Sequence, residues 1–501
     1  MLLAEVVATS AAVAATRSRT AKVAALVELL RRLESDEVEP AVGFLTGVPR
    51  QGRIGVGWRS VSDIAPTPPL EPSLEVLLLD DVLTTLAATS GAGSVAIRRA
   101  LLEDLFARAT APEVAFIRGL LTGGLRQGAL AGVMTDAVAT AAAAPIEVVR
   151  RAAMLSGDLG RTAGLALHEG IAALEAVRLA ILRPIQPMLA ASAGDVGEAL
   201  VHTGHASVEW KLDGVRVQVH RLGSEVRIYT RNLNDITQRL PGVVAVALGL
   251  PSSTFVLDGE VVGIDENANP RPFQDTMSAI GSDDARGRGD GLLVAYFDVL
   301  HVDGVDAIDE PLSSRLERLD ALVGPMAVTR TLTADPVAAR ATLAASLAHG
   351  HEGVMVKALD STYDAGRRGG SWRKVKPVHT LDLVVLAAEW GHGRRQGWLS
   401  NLHLGARDPS GGFVMVGKTF KGLTDELLTW QTAALLEREV ERDGIVVFVR
   451  PELVVEIALD GVQTSTRYPG GVALRFARVK GYRSDKDPSQ ADSITTVSQL
   501  R

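Results

Sequence analysis

The sequence of 501 residues contains no cysteine. That absence excludes disulfide bonds, a thiol nucleophile and every zinc or iron–sulfur site built on cysteine ligands. No run of about 18 apolar residues is free of charge or proline, so we expect no membrane span. The apolar start of the chain lacks a basic stretch and includes Glu5, which predicts a first helix in place of a signal peptide and a cytoplasmic protein.

Lysine is the other scarce residue. Of the 52 basic residues nine are lysine, and eight of those follow residue 210. Arginine stays protonated at neutral pH, whereas a lysine amine can lose its proton and act as a nucleophile. The uneven distribution therefore points to lysine chemistry after residue 210. The net charge of −7 argues against a surface coated with basic residues, although it allows a local basic channel.

The length and the hydrophobic patterns predict a multidomain protein with three parts. Residues 1–183 are rich in alanine and leucine with apolar positions three and four apart, which predicts an all-α domain. Residues 184–377 mix alternating strand patterns with a short helical pattern, which predicts an α+β domain. Residues 378–501 hold several strand patterns, enough for a small all-β barrel. We expect the polar last dozen residues to trail on the surface.

A lysine precedes the first strand pattern of the middle region. Residues 209–216 read E-W-K-L-D-G-V-R, which places Lys211 before an acid and a glycine. This motif alone is more typical of a hairpin turn with a surface lysine. Five further elements follow it in order: Y-T-R-N (229–232), L-D-G-E (257–260), Y-F-D (296–298), E-G-V-M-V-K (352–357) and W-R-K-V-K (372–376). The ordered set resembles the covalent nucleotidyltransferases, which comprise ATP-dependent DNA ligases, RNA ligases and mRNA capping enzymes.

The resemblance implies that Lys211 is the nucleophile that attacks the α-phosphate and becomes adenylated. The amine must be neutral to attack, and the nearby cations Lys374 and Lys376 would lower its pKa. The same lysines and Arg231 would stabilise charge on the phosphate.

The resemblance also assigns roles to the residues around the nucleotide. Glu209 matches the residue that meets the adenine amino group, and Phe297 matches the aromatic side chain that stacks on the base. Glu260 and Glu352 match the carboxylates that hold Mg²⁺, for which Mn²⁺ could substitute, and Glu260 also matches a ribose contact. The remaining matches are basic residues that hold the nucleotide and its phosphates: Arg216, Arg231, Lys357, Arg368, Lys374 and Lys376.

Two motifs of the C-terminal region complete the pattern. The sequence R-F-A-R (475–478) followed by R-S-D-K (483–486) resembles the last motif of ATP-dependent DNA ligases, with Ala477 in place of the usual proline. Its basic residues would contact pyrophosphate or DNA: Arg475, Arg478, Arg483 and Lys486. Residues 412–419 fit the P-loop pattern G-x-x-x-x-G-K-T, but the four variable positions are strand residues. We therefore expect Lys418 to be a barrel residue that faces DNA.

The N-terminal region helps to distinguish DNA ligases from the other members of this superfamily. Residues 44–58, 119–128 and 156–159 resemble the helical DNA-binding domain of replicative-type ligases, and Arg50, Arg53 and Arg126 beside glycines are candidate DNA contacts. These stretches are equally compatible with turns that connect helices.

The whole pattern most resembles the actinobacterial ligase B type. That resemblance implies ATP as the donor, nicked duplex DNA as the substrate, a monomer in the bacterial cytoplasm near the nucleoid, and an OB-fold as the C-terminal barrel. Alternatives are an RNA ligase or capping-type enzyme, a non-catalytic DNA-binding scaffold and a P-loop ATPase.

Overall fold

The computed structural model describes residues 1–52, 54–125, 131–266, 269–271, 273–281, 291–364 and 368–500. The predicted DNA contacts Arg53 and Arg126 and the side chain of Arg368 lie outside what is described. The chain divides into two compact units, Met1–Val375 and Lys376–Arg501. The helical segment belongs to the first unit, so the predicted boundary at residue 183 stays a prediction.

The N-terminal part of the first unit is helical, as predicted. Its described helices are α1 (Leu3–Ala15), α2 (Arg19–Leu30), α3 (Val38–Thr46), α4 (Trp58–Ser62), α5 (Val76–Ala88), α6 (Ser94–Arg108), α7 (Ala111–Leu121), α8 (Ala131–Ala141), α9 (Ile146–Ser156), α10 (Leu159–Gly164) and α11 (Ile171–Glu175). Side-chain caps define where several of them begin: Thr110 and Glu113 form a reciprocal capping box on α7, and Asp158 caps α10. The apolar faces meet in one core that includes Phe44, Phe106 and Ile117.

Two five-stranded sheets make up the rest of the first unit. The strands are β1 (Leu189–Ser192), β2 (Ala206–Trp210), β3 (Val215–Leu222), β4 (Glu225–Thr230), β5 (Thr254–Gly263), β6 (Leu292–Val302), β7 (Val305–Asp306), β8 (Arg330–Thr333), β9 (Val354–Ala358) and β10 (Arg368–Val375). One sheet has the order β1-β10-β9-β2-β8 and the other β4-β3-β5-β6-β7. The helices between the strands are α12 (Val196–Thr203), α13 (Pro241–Gly249), α14 (Phe273–Gly281), α15 (Leu312–Val323) and α16 (Pro336–Ala348). This α+β arrangement agrees with the prediction for the middle region.

The second unit is built mainly of β-strands. They are β11 (His379–Trp390), β12 (Leu399–Arg407), β13 (Phe413–Thr419), β14 (Glu439–Asp443), β15 (Val446–Val449), β16 (Val454–Leu459), β17 (Gly461–Thr464), β18 (Val472–Arg475) and β19 (Arg478–Tyr482). The main sheet has the order β13-β12-β11-β15-β14; β16 pairs with β11 and with β19. Its described helices are α17 (Asp425–Leu436) and α18 (Ile494–Ser498).

The C-terminal segment does not trail on the surface, so that expectation was wrong. Residues Ile494–Ser498 form α18, whose Val497 lies in the core of the second unit. Ala491 is buried as well, and Arg407 on β12 bonds to its carbonyl oxygen at 2.6 Å. The segment is polar on average, but its few apolar side chains are the ones that pack.

The P-loop pattern at 412–419 is a strand, as its variable residues predicted. Phe413–Thr419 forms β13, and the next helix begins only at Asp425. A P-loop needs a loop that opens directly into a helix. Every helix in the described ranges is too short or too polar to cross a membrane.

Candidate active site

The two sheets of the first unit meet through a few long side chains. The Arg216 guanidinium of β3 lies 5.3 Å from the ring centre of Phe297 on β6 and 5.8 Å from that of Trp372 on β10. The Lys357 amine of β9 donates to the Phe297 carbonyl at 3.1 Å. The motif residues of both sheets therefore line one site between them.

Lys211 lies directly after β2, beside Glu352 and Gly353, which directly precede β9. Its N–H donates to the Gly353 carbonyl at 2.9 Å, and the Glu352 N–H donates to the Lys211 carbonyl at 3.0 Å. The two side chains form an ion pair between Nζ and Oε2. They are 22% and 15% exposed, so a substrate could still reach the amine.

Glu260, on β5, is a second carboxylate near Lys211, and Gly214 of the lysine motif binds it. The Gly214 N–H donates to its carboxylate, with Lys211 and Arg216 as the nearest cations. Burial raises the pKa of Glu260 to about 7, against the lowering effect of the two cations. A further cation at this carboxylate would keep it ionised.

A buried ion pair forms one wall of the site. Glu209 and Lys357 are 2% and 1% exposed, and their Oε2 and Nζ atoms lie 2.6 Å apart. Burial raises the pKa of Glu209, and Lys357 opposes that shift. The Lys357 amine also lies 4.4 Å from the ring centre of Phe297 and 4.3 Å from that of Trp372. The predicted adenine contacts Glu209 and Phe297 are thus brought together by Lys357.

The register of the first sheet places Lys374 on the same face as this wall. Glu209 pairs with Met355, and Met355 pairs with Lys374 on the next strand. Lys357 and Trp372 form the neighbouring row of the same face, because side chains two residues apart point to the same side of a strand.

Two further predicted nucleotide contacts, Arg231 and Lys376, directly follow β4 and β10. Arg231 is exposed in the turn directly after β4. Lys376 opens the second unit, where its Nζ lies 3.8 Å from Asp460 Oδ2.

The basic residues of the last motif lie in the second unit, around two acidic residues, Asp460 and Asp382. Arg478 Nη1 is 3.7 Å from Asp460 Oδ1, and the Asp460 N–H donates to the Arg475 carbonyl at 3.0 Å. Arg483 and Lys486 both approach Asp382 on β11.

Two predicted DNA contacts are engaged with acidic side chains. Lys418 on β13 pairs with Glu389, which also bonds His403 at 2.9 Å and Asn401 at 2.7 Å. Burial would raise the pKa of Glu389, but the hydrogen bonds from Lys418, His403 and Asn401 lower it to about 2. Arg50 binds the buried Asp80 through Nε, at 2.8 Å and 3.0 Å from the two carboxylate oxygens.

Sequence reasoning missed the acid that holds Arg216. The guanidinium binds Asp258 through Nε at 3.0 Å and Nη2 at 2.6 Å, and Nη1 donates to the Met188 carbonyl at 2.7 Å. The Tyr363 hydroxyl donates to Asp258 at 2.8 Å. A signal for Asp258 was present, since it stands two residues before Glu260 in L-D-G-E and so shares its strand face. No local pattern marks Tyr363.

The carboxylates fit a magnesium ion that keeps water ligands. Among the described residues no group of three or more His, Asp or Glu side chains could hold a metal ion. Mg²⁺ is usually bound by one or two carboxylates together with waters and substrate phosphates. Glu260 and Glu352, both beside Lys211, are such a pair.

Gly214 is the tightest backbone position of the site, which gives a testable prediction. A Cβ there would lie 2.2 Å from the Val261 carbonyl oxygen and 2.7 Å from the Val262 side chain. We expect Gly214→Ala to push β3 from β5, displace the N–H that binds Glu260, and slow formation of a protein–AMP adduct at least tenfold. Radiolabelled ATP measures the adduct.

Gly242→Ala is the matched control, because nothing lies within 4 Å of its added Cβ on α13. It should form the adduct at the normal rate. Equal rates for both variants would show that the close approach at residue 214 does not position the site.

Comparison with known proteins supports the same chemistry. A family described as "ATP dependent DNA ligase domain" matches residues 187–376, and one described as "ATP dependent DNA ligase C terminal region" matches residues 395–486. A "Probable DNA ligase" of Pseudarthrobacter chlorophenolicus is 56% identical over 506 residues, covering 100% of this chain and 99% of the relative. The chain belongs to the ATP-dependent DNA ligases.

Further relatives agree with this membership. A "Probable DNA ligase" of Rhodococcus opacus is 56% identical over 503 residues, again covering 100% of this chain and 99% of the relative. The solved structure named "Pmar-Lig_PreS3" matches 95% of this chain and 99% of its own with a TM-score of 0.63 and 19% identity, which supports the fold. Membership in the ligases favours DNA joining over the capping and P-loop alternatives.

Proposed function

We propose that the protein seals breaks between a 3′-hydroxyl and a 5′-phosphate in duplex DNA, using ATP, through an adenylated lysine. The observation that carries this proposal is the position of Lys211, whose amine lies between two sheets, pairs with Glu352 and faces the motif residues of both. Family membership supplies the substrate class.

The first step is attack of the Lys211 amine on the α-phosphate of ATP. A P–N bond forms, the bond from the α-phosphorus to the bridging oxygen breaks, and pyrophosphate leaves. The amine must first give up a proton, and the Glu352 carboxylate is within hydrogen-bond reach to accept it. Lys374 on the same sheet would add positive charge that stabilises the phosphate.

The next two steps move AMP to DNA and release it. The 5′-phosphate of the nick displaces Lys211 from the adenylate, which gives the phosphate a good leaving group. The 3′-hydroxyl then attacks that phosphate, the phosphodiester forms and AMP departs. We propose that Lys211 takes up a proton again when its P–N bond breaks.

The wall beside Lys211 suits an adenine base. Phe297 offers a ring face, and the Glu209–Lys357 pair next to it offers a carboxylate to the exocyclic amino group. We propose that Arg216, Arg231 and Arg368 hold the ribose and phosphates. Arg216 has a fixed guanidinium for this role, since Asp258 binds two of its nitrogens.

We propose that Glu260 and Glu352 hold Mg²⁺, which Mn²⁺ could replace, and that Glu260 also contacts the ribose. When bound, the ion would neutralise charge on the phosphates. The two carboxylates, both beside Lys211, are the groups that would hold it.

We expect Glu260→Gln and Glu352→Gln each to raise the Mg²⁺ concentration for half-maximal adenylation at least tenfold, because each removes one anionic ligand. A Mg²⁺ titration of adduct formation measures this. Glu225→Gln on β4, which removes an exposed carboxylate that pairs with Arg227, is the control. A Mg²⁺ requirement unchanged in both site variants would contradict the metal assignment.

DNA contacts would come from the helical region and the C-terminal unit, by charge and shape without reading of sequence. We propose that Arg50, Arg53, Arg126 and Lys418 contribute to DNA binding. We also propose that the C-terminal unit is an OB-fold. Arg475, Arg478, Arg483 and Lys486 would orient pyrophosphate during lysine adenylation, and Lys376 would bind the nucleotide. We further propose three domains divided near residues 183 and 377, and a monomer that works at the nucleoid of a bacterial cytoplasm.

One chase experiment tests the proposal. The protein is labelled with ATP carrying ³²P at the α-phosphate, separated from free ATP, and mixed with nicked DNA or nicked RNA duplexes. Nicked DNA should remove the label as AMP and yield a sealed strand, and nicked RNA should not. Labelling by GTP, or release by RNA alone, would favour a capping enzyme or an RNA ligase.

A further inference from the structure

Two cations of the last motif share one acidic side chain that the motif does not contain. Lys486 pairs with Asp382 through Nζ and Oδ2. Arg483 Nη1 lies 3.4 Å from both carboxylate oxygens of Asp382. Asp382 lies on β11, about a hundred residues earlier in the chain, so only the folded sheet brings the three side chains together.

The backbone of Asp382 is fixed by two hydrogen bonds to Asp492. Its N–H donates to Asp492 Oδ2 at 2.7 Å, and the Asp492 N–H donates back to the Asp382 carbonyl at 2.8 Å. The neighbours Leu381 and Leu383 are buried, which fixes the strand on both sides. The carboxylate is therefore a fixed point on a rigid strand.

Exposure increases from the acid to the cations. The Asp382 side chain is 14% exposed, whereas Lys486 and Arg483 are 29% and 30% exposed. The cations thus lie between a nearly buried anion and solvent, where an anionic substrate group would arrive. Each long side chain would otherwise lose rotamer entropy when it is ordered on binding.

Donors remain after these contacts. Lys486 has three N–H groups and uses one on Asp382. Arg483 has five, and it uses Nε and Nη2 on Asp485, at 2.9 Å and 2.7 Å, and Nη1 at longer range on Asp382. The hydrogen bonds from Arg483 lower the pKa of Asp485 to about 2, so the Asp485 carboxylate is ionised at neutral pH. Both cations can bind phosphate oxygens without leaving Asp382.

We propose that Asp382 is a positioning residue that sets the Lys486 amine and the Arg483 guanidinium for pyrophosphate during lysine adenylation. The inference rests on the proposed function of the last motif and adds a residue outside it. It predicts a defect confined to the step in which pyrophosphate leaves, because the later steps involve no pyrophosphate.

The test compares two half-reactions of the full-length protein carrying Asp382→Asn. We expect kcat/KM for adduct formation from ATP to fall at least tenfold. The reverse reaction, release of ATP from the adduct by added pyrophosphate, should fall by a similar factor. Sealing of a nick that already carries AMP on its 5′-phosphate should stay within twofold of normal. Asp382→Glu should recover part of the lost adenylation.

Glu452→Gln is the matched control, because Glu452 also pairs with two arginines of the second unit, Arg450 at 2.8 Å and Arg438 at 3.1 Å. It should leave both half-reactions unchanged. Asp382→Asn would overturn the inference by adenylating at the normal or a faster rate, which would mean that the acid competes with pyrophosphate. An equal loss in both half-reactions would also overturn it, because it would indicate a general structural role.

Two further variants distinguish failure of the Asp382 inference from failure of the proposed role of the last motif. Arg483→Ala and Lys486→Ala should each reduce adenylation and spare the sealing of adenylated nicks. Normal adenylation by both variants would refute the role of the last motif, whatever Asp382→Asn does.

Discussion

Replacing Lys211 by alanine is expected to abolish the protein–AMP adduct and to reduce ATP-dependent nick sealing by more than about a thousandfold, roughly 4 kcal/mol in the barrier. The P–N bond needs an amine at this position, held against Glu352 by the backbone pairing of residue 211 with residues 352 and 353. Lys211→Arg should be equally inactive in adduct formation, since a guanidinium stays protonated. Labelling with ATP and mass spectrometry of the modified peptide measure the adduct.

The Lys211 variants should still fold and still seal a nick that already carries AMP, because that step does not use the lysine as a nucleophile. Lys480→Ala, which removes an exposed lysine of the second unit, serves as the control and should label normally. Normal labelling and sealing by Lys211→Ala would contradict the whole mechanism.

The strands found from the sequence and those missed differ in length and pattern. In the sequence, alternation or an apolar run marks β3, β5 and β6, which have 8, 10 and 11 residues. The strands β1 and β8 have four residues each, too few to establish a period. They exist because their neighbours in the sheet supply the hydrogen bonds, which is information that no local pattern holds.

In the candidate site, too, some residues could be named from the sequence and others could not. The residue types and order of the motifs were sufficient to name Lys211, Glu260 and Glu352, which the structure brings together. Partners far apart in the chain were not predictable: Glu209 contacts Lys357 across the pairing of β2 with β9, and Lys486 contacts Asp382 from the loop after β19. The roles of these residues stay predictions until the variants are measured.

Arg315→Met is expected to destabilise the protein by about 3–5 kcal/mol, the cost typical of breaking a buried ion pair. Arg315 and Asp298 are both fully buried, joined by Nε at 2.8 Å and Nη2 at 3.1 Å. Nη1 also donates to the carbonyl groups of Glu310 at 2.7 Å and Ser361 at 2.9 Å. Methionine fills much of the volume but leaves the Asp298 carboxylate without its cation. Urea denaturation of the full-length protein, followed by fluorescence, measures the loss in the free energy of unfolding.

Arg318→Met, one turn along the same helix, is the control for that loss. Arg318 binds Glu310 through two bonds of 2.8 Å, but its side chain is 39% exposed, so we expect Arg318→Met to destabilise the protein much less than Arg315→Met. Replacing both buried partners, as in Asp298→Leu with Arg315→Met, should cost less than the sum of the single changes, because no buried charge is left unpaired. Equal losses for Arg315→Met and Arg318→Met would mean that burial does not set the strength of these two pairs.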